Sequence, residues 1–169
     1  MSRSLLLSVA CLVAAWAVVA PLTLRAEEPK EPKIIARASD SDPYLVRLKK
    51  DDNGVVIRSA EDLVAHSTKP DAAKDPAVQK AMEAELAKFL NVEGIDWNKQ
   101  MVLAVQGRPT KGEQGIIKFG SLKVEGMALV VPWKQENRGT RAPYQGPPVG
   151  LALVERLGGE VKFVSLAKK

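Results

Sequence analysis

In the second half of the chain, large apolar side chains recur at every second position. They do so from Met127 to Trp133, and segments 117–119 and 122–124 share the spacing. A period of two is that of a β-strand with one buried face. An apolar run at Met101–Val105 adds another strand, so this half of the chain predicts a β-sheet.

The last two strand-like segments, Val149–Val154 and Val161–Leu166, flank Arg156-Leu-Gly-Gly-Glu160. A short glycine-containing connection between two such runs is typical of a β-hairpin. Pro132 has no N–H group to donate to a strand ladder, so we expect its strand to lie at a sheet edge or to carry a bulge there.

Two helices are predicted ahead of these strands. Ser59 and Asp62 have the spacing of a capping box, which indicates a short helix over residues 60 to about 67. Asp75-Pro76 places an N-cap before a proline at the first helical position, and an apolar stripe follows. The stripe comprises Val78, Met82, Leu86 and Phe89 or Leu90.

A hairpin is predicted before the helices, because Tyr44–Leu48 and Val55–Arg58 flank a segment that ends in Asn53-Gly54. The predicted fold class is therefore α+β: an N-terminal hairpin and two helices followed by a mostly antiparallel β-sheet. These elements fit a single domain over residues 44–169.

The N-terminal region has the layout of an export signal. Arg3 precedes Leu5–Leu24, which carries no charge, and the sequence turns polar from Arg25. This pattern predicts a signal peptide over residues 1–26 and an extracytoplasmic domain, periplasmic or secreted. The alternative is an uncleaved anchor, since a stretch of that length can span a bilayer, and only then would the protein contact a membrane. Residues 27–43 are rich in acids and prolines and predict a flexible linker.

Composition argues against several functional classes. Cleavage after residue 26 would remove Cys11, the single cysteine, and with it any disulfide or thiolate chemistry. It would also remove Arg3 and Arg25, lowering the formal net charge from +5 to about +3, a surplus too small to indicate nucleic acid binding. His66 is the single histidine, so neither a zinc site nor a catalytic triad is predicted. We therefore expect no metal, no cofactor and no catalytic residue.

Gly107-Arg-Pro-Thr-Lys-Gly112 follows a predicted strand, as phosphate-binding loops do. Those loops require Lys-Ser or Lys-Thr after the second glycine and a helix beyond it. Glu113-Gln114 stand there instead, and residues 116–119 have strand spacing. The segment therefore predicts a connection between two strands. Asp51-Asp-Asn-Gly54 likewise lacks the ligand register of a calcium loop and indicates a turn.

The stretch Val131–Pro148 is the leading candidate for a contact surface. It combines Trp133 and Tyr144 with Arg138 and Arg141, the residue types that most often dominate protein interfaces. Long loops without secondary structure also tend to be functional. The alternative is a connection between strands whose aromatic side chains pack back on the core.

The sequence Ile95-Asp-Trp-Asn-Lys-Gln-Met-Val-Leu-Ala-Val-Gln-Gly107 is followed by Pro109-Thr110, two paired strands, a long proline-containing loop and Val161-Lys-Phe-Val164. This order resembles the C-terminal domain of the PrcB family over about residues 94–165. Members of that family are accessory subunits proposed to bind and stabilise an extracellular serine protease. The resemblance implies a binding role with a protease as partner. Where the family tends to have Pro-Thr-Gly-Gly-Tyr, this chain has Pro109-Thr-Lys-Gly-Glu113.

The Pro-Thr-x-Gly pattern at residues 109–112 is also similar to a loop of chagasin-like inhibitors of cysteine proteases, which present three loops from an all-β scaffold. Pro132-Trp133 would stand near a second such loop. That resemblance implies a protease inhibitor, although the two predicted helices do not belong to the scaffold.

The sequence thus predicts a non-catalytic, extracytoplasmic protein-binding module whose partner is a protease or another envelope protein. Two alternatives stay open: a protease inhibitor that presents loops, and a hydrolase that uses paired carboxylates. The acids available to such a hydrolase are Glu113, Glu125, Glu136, Glu155 and Glu160. The predicted partner-contacting residues are Arg108, Pro109, Thr110, Lys111, Trp133, Arg138, Arg141 and Tyr144.

Overall fold

The computed structural model describes residues 31–40, 46, 54–109, 113–141 and 147–166. The signal peptide or anchor predicted for residues 1–26 lies outside these residues. Within the ranges described, no helix is long and apolar enough to cross a membrane. In chain order, the described elements are β1 (Ile34–Asp40), β2 (Val55–Ile57), α1 (Ala60–Ala65), a 3-10 turn (Pro70–Ala72), α2 (Pro76–Leu90), β3 (Gln100–Gln106), β4 (Glu113–Phe119), β5 (Lys123–Glu125), β6 (Ala128–Arg141), β7 (Val149–Glu155) and β8 (Glu160–Ser165).

The strands form two sheets. The first sheet has the order β1-β7-β3-β2, and each neighbouring pair in it is antiparallel. In the second sheet β6 is central: β4 and β5 pair with one side of it in succession, and β8 lies parallel along the other side. The coarse α+β prediction of mostly antiparallel strands with few helices is therefore confirmed.

The elements stack as helices, first sheet and second sheet. β3 and β7 are apolar without interruption because they are the central strands of the middle layer, and both of their faces are buried. One face of this layer packs on the helices through Val102, Ala104, Leu151 and Leu153, against Leu63, Met82, Leu86 and Leu90. The other face packs on the second sheet through Met101, Leu103, Val105, Ala152 and Val154, against Ile117, Phe119, Leu129, Val131 and Trp133.

Both helices begin at the predicted caps. Ser59 Oγ accepts a hydrogen bond from the Asp62 N–H at 3.0 Å, while the Asp62 carboxylate reaches back to the Arg58 N–H at 3.1 Å instead of to the cap residue itself. Asp75 Oδ1 accepts from the Ala77 N–H at 2.9 Å at the start of α2. Asn91, in the left-handed region with φ 55°, ends α2.

The flexible linker predicted for residues 27–43 does not hold for Ile34–Asp40, which is strand β1. It pairs with β7, and Ala36 and Ala38 pack against the core on the helical side of the sheet. Composition alone suggested a linker because residues 27–43 are rich in acids and prolines. The free edge of β7 supplies hydrogen-bonding partners for its backbone, and the pairing gives the segment its order.

The predicted hairpin between β7 and β8 is wrong. β7 already has β1 on one side and β3 on the other, so no edge of it is left for β8. The chain instead crosses to the second sheet, where β8 runs parallel to β6. Of the predicted N-terminal hairpin, β2 is present and pairs with β3, and its partner 44–48 lies outside the described residues apart from the buried Val46.

Pro132 lies in a central strand, not at an edge, and stands where the partner of that strand changes. β4 ends at Phe119, opposite Trp133, and β5 begins at Lys123, opposite Val130. The Pro132 carbonyl accepts from the Gly120 N–H at 2.8 Å, so the proline faces the corner between the two partner strands. Its missing N–H therefore removes no bond from either ladder.

Candidate functional site

Two chain connections meet at one end of the stacked sheets: β3 to β4, and β6 to β7. Gln106 at the end of β3 lies opposite Val149 at the start of β7, and Glu113 lies opposite Arg141. The Gly107 N–H donates to the Pro148 carbonyl at 2.8 Å, which joins the connections directly. We call this region the loop end; its described residues are Gln106–Pro109, Glu113–Gly115, Gln135–Arg141 and Pro147–Val149.

The side chain of Gln135 ties β6 to the β3–β4 connection. Its Oε1 accepts from the Arg108 N–H at 2.7 Å, and its Nε2 donates to the Arg108 carbonyl at 3.0 Å. One amide thus satisfies both backbone groups of one residue, as a neighbouring strand would. The Arg108–Pro109 segment is thereby held beside β6.

Two glycines leave the space that this amide occupies. A Cβ atom on Gly107 would overlap Oε1 of Gln135 and approach Cδ1 of Ile117 to 3.0 Å. A Cβ atom on Gly115 would come within 2.8 Å of Pro148 Cγ and 3.0 Å of Gln135 Nε2. Gly107 therefore serves close packing here, a role that the phosphate-loop comparison did not suggest.

The structure brings some of the predicted contact residues together. Arg108 and Pro109 are exposed at the loop end. Arg138 and Arg141 belong to the last part of β6, where the pairing with β4 is interrupted by a register shift. The unstructured loop predicted over residues 131–148 is therefore strand as far as Arg141. The other predicted contact residues, Thr110, Lys111 and Tyr144, lie outside the described part of the chain.

Trp133 is placed in the core, away from the surface where a partner would bind. Only 9% of its surface is exposed, and its side chain joins the cluster between the sheets with Leu129 and Val131. Within the described part of the chain, its buried indole N–H meets no acceptor. The alternative interpretation of Val131–Pro148, in which aromatic side chains pack back on the core, describes Trp133 correctly. The strand alternation already put it on the same face as Leu129 and Val131.

Gln135 is a site residue that sequence reasoning missed. Its position carried a signal, because the same alternation extends from Val131 and Trp133 to Gln135 and so puts a polar side chain on the core-facing side of β6. A polar group at such a position needs a hydrogen-bonding partner. Arg108, 27 positions away in sequence, could not have been recognised as that partner.

The two connections are basic. The connections and the loop-end ranges carry four basic residues, Arg108, Lys111, Arg138 and Arg141, against two acids, Glu113 and Glu136. The helical layer has the opposite balance, with eight acids and five lysines over residues 59–99. Asp40, opposite Val149 at the end of β1, is an acid at the border of the loop end. The charge distribution therefore favours an acidic partner at this end of the molecule.

The outer face of the second sheet carries a lysine–glutamate cluster. Lys118 and Lys134 lie directly opposite each other on β4 and β6, an arrangement that would be repulsive alone. Glu136 accepts from the Lys118 ammonium and lies 2.6 Å from the Lys134 ammonium. Hydrogen bonds from Lys118 and then Lys134 lower the pKa of Glu136 below its ordinary value of 4.5. This carboxylate therefore stays ionised and offsets one of the two lysine charges.

His66 and its neighbour Ser67 have structural roles at the end of α1. The His66 N–H donates to the Asp62 carbonyl at 3.0 Å. Ser67 is buried; its Oγ donates to the Val64 carbonyl at 2.7 Å and accepts from the Lys69 N–H at 3.0 Å. Among the described residues, no group of three or more His, Cys, Asp or Glu side chains could hold a metal ion.

Comparison of the chain with protein-family models, with curated proteins and with solved structures finds no match. Its architecture defines it as a domain of a helical layer and two stacked sheets with a basic loop end. The resemblance to the PrcB C-terminal domain stays a prediction.

Proposed function

We propose that this chain is a non-catalytic, extracytoplasmic protein-binding domain that contacts its partner through the loop end. The observation that carries the proposal is the pairing of Gln135 with the backbone of Arg108. It joins the two segments that the sequence singled out as contact candidates, and on this basis we assign the exposed Arg108 and the arginines at the end of β6 to one contact surface. The partner class is a protease, as the PrcB resemblance implies, or another envelope protein.

Residue chemistry at the loop end supports an acidic partner surface. Arg108 is exposed, and Arg138 and Arg141 follow on the adjacent part of β6. Arginine forms bidentate hydrogen bonds with carboxylates and is enriched among the residues that dominate interfaces. With Trp133 in the core, Tyr144 is the aromatic residue of this region that we assign to partner contact.

Three of the carboxylates available to the hydrolase alternative, Glu125, Glu136 and Glu160, lie in environments that differ from that of a catalytic acid. This supports the binding role. Glu125 and Glu160 both lie opposite Ala128, on the two strands flanking β6, so their backbones are roughly 10 Å apart. Both are exposed. A glycosidase holds its general acid in a sheltered environment that raises the pKa. Glu136 has the opposite shift, with a lowered pKa.

Charge reversal tests the contact surface. The exported protein would be used to capture partners from its native envelope, and each captured protein would then be purified and titrated against variants. We expect Arg108→Glu combined with Arg141→Glu to weaken binding at least about tenfold, because two charge contacts would become repulsive. The matched control is Lys74→Glu combined with Lys80→Glu, the same charge change in the exposed helical layer. Equal binding by both double variants would place the contact surface elsewhere.

The intact mass of the protein purified from the cell envelope tests the predicted export signal and its cleavage. A chain beginning at Glu27 is expected if the signal peptide is removed. A full-length chain that is extracted only with detergent would show the membrane anchor instead, with the same domain outside the membrane.

A protease inhibitor is the second candidate. The connections at the loop end lie together at one end of the two stacked sheets, and chagasin-like inhibitors likewise present loops from a β-scaffold. Purified protein would be titrated against a papain-like and a subtilisin-like enzyme. Inhibition that is reduced by Arg108→Glu and retained by Lys80→Glu would favour this candidate. Failure to slow either enzyme at micromolar protein would remove it.

A further inference from the structure

We infer that Gln135 is a positioning residue that couples Gly107 and Arg108, which follow β3, to Pro148, which precedes β7, and holds these described residues of the loop end in one arrangement. The use of the loop end for binding rests on the proposed function. The coupling itself is a property of the fold, and it can be measured without any partner.

The first step is the geometry of the amide. Glutamine has one acceptor and one donor group on a planar head, and here they meet the N–H and the carbonyl of the same residue, Arg108, at 2.7 and 3.0 Å. A rotated amide would place donor against donor and acceptor against acceptor. The orientation of Gln135 and that of the Arg108 peptide groups therefore fix each other.

The second step is the contact with the β6–β7 connection. The Gln135 amide lies between the positions where Gly107 and Gly115 leave room, and Gly115 also faces the ring of Pro148. Gly107, next to Arg108, donates its N–H to the Pro148 carbonyl at 2.8 Å. Displacement of the Gln135 amide would therefore affect Pro148 through both Gly107 and Gly115.

The third step is the consequence for binding. A loop that is disordered when free loses conformational entropy when a partner orders it, which weakens the complex. Gln135 orders Arg108 beforehand, while leaving the Arg108 and Pro109 side chains exposed. The amide acts through the backbone it holds, so its own contact with a partner is not required.

Hydrogen exchange of individual backbone amides, measured by NMR on the exported protein, tests the coupling. In Gln135→Ala, the Arg108 amide loses its acceptor and should exchange about fivefold faster or more, the effect of one net hydrogen bond. The decisive probe is the Gly107 amide, whose acceptor is Pro148 and not Gln135. If the connections are coupled, it should also exchange severalfold faster.

Two further variants separate coupling from general destabilisation. Gln79→Ala removes a comparable glutamine-to-backbone bond, from Nε2 to the Ala73 carbonyl at 2.6 Å in the helical layer, and should leave both amides unchanged. Gly107→Ala keeps the glutamine but fills its space, and should accelerate Arg108 as Gln135→Ala does. Faster exchange at Arg108 with no change at Gly107 would overturn the coupling, as would no change at either.

A partner, once captured, gives an independent readout. Gln135→Ala should raise its Kd about fivefold, because the loop end must then be ordered on binding. Coupling in the exchange data together with an unchanged Kd would locate the binding surface elsewhere and contradict the proposed function, while the coupling would stand. Failure of both measurements would overturn the inference.

Discussion

Replacing Gly150 by alanine tests how the two sheets face each other. A Cβ atom on Gly150, in β7, would lie 2.5 Å from both Cβ and Cγ2 of Ile117 and 3.2 Å from Cε2 of Phe119. Carbon atoms in contact prefer about 3.5–4.0 Å, so about 1 Å of separation is missing. Because one of the clashing atoms is the Cβ of Ile117, no rotamer of that side chain relieves the overlap.

The backbones resist the displacement as well. β7 is held by ladders on both sides, and β4, which carries Ile117, is paired with β6. Overpacking in such a core costs about 1–3 kcal/mol. Alanine has less conformational entropy than glycine in the unfolded chain, which offsets about 0.5 kcal/mol of this cost. We therefore expect Gly150→Ala to lower the free energy of unfolding by about 1.5 kcal/mol.

Urea unfolding, followed by circular dichroism, measures this loss. The matched control is Gly94→Ala, where an added Cβ meets nothing within 4 Å; its stability should stay within about 0.5 kcal/mol of the original protein. If Gly150→Ala unfolds at the same urea concentration as Gly94→Ala, then β7 does not pack on β4 as described. The stacking of the two sheets near the loop end would then be refuted.

Two other predictions concern the Glu136–lysine cluster and the packing of Gly107 against Gln135. Lys118 and Lys134 lower the pKa of Glu136, and folding therefore favours its ionised form; this contribution is complete above about pH 4.5 and is lost as the pH falls through the lower folded-state pKa. Melting temperatures should therefore fall more between about pH 5 and pH 3 for the original protein than for Glu136→Gln, and parallel losses would contradict the cluster. Gly107→Ala and Gln135→Ala should each cost about 1 kcal/mol, and the double variant should cost little more than Gln135→Ala alone, because both remove the same amide from the same space. Additive losses in urea unfolding would show that the glycine and the amide do not share that space.

The interior of the second sheet could be predicted from the sequence, because alternation reports directly which side chains face one way. Leu129, Val131 and Trp133 are buried together as the spacing indicates. The pattern extended one step too far at Met127, which is 89% exposed because it lies in the turn between β5 and β6. At Trp133 two arguments from the sequence disagreed, and the spacing proved a better guide than the residue type.

The candidate site could be predicted only in part. Arg108 and Pro109 are exposed at the loop end, and their proximity to β6 is new information from the structure. Gln135 was overlooked because the role of an isolated polar residue in a strand is visible only once its hydrogen-bonding partner is known. That partner comes from a segment 27 positions earlier, and no local pattern records such a distance.

The sequence by itself determined the elements whose signals are local: the caps at Ser59 and Asp75, the apolar stripe of α2 and most of the strands. Only the tertiary structure decided which strands are neighbours. β1 became a strand because β7 had a free edge, and β8 went to the second sheet because β1 and β3 occupy both sides of β7. Caps and periodicity depend on residues within a few positions of one another. Strand partners depend on which edges remain open after the whole chain has packed, and that is a property of no single segment.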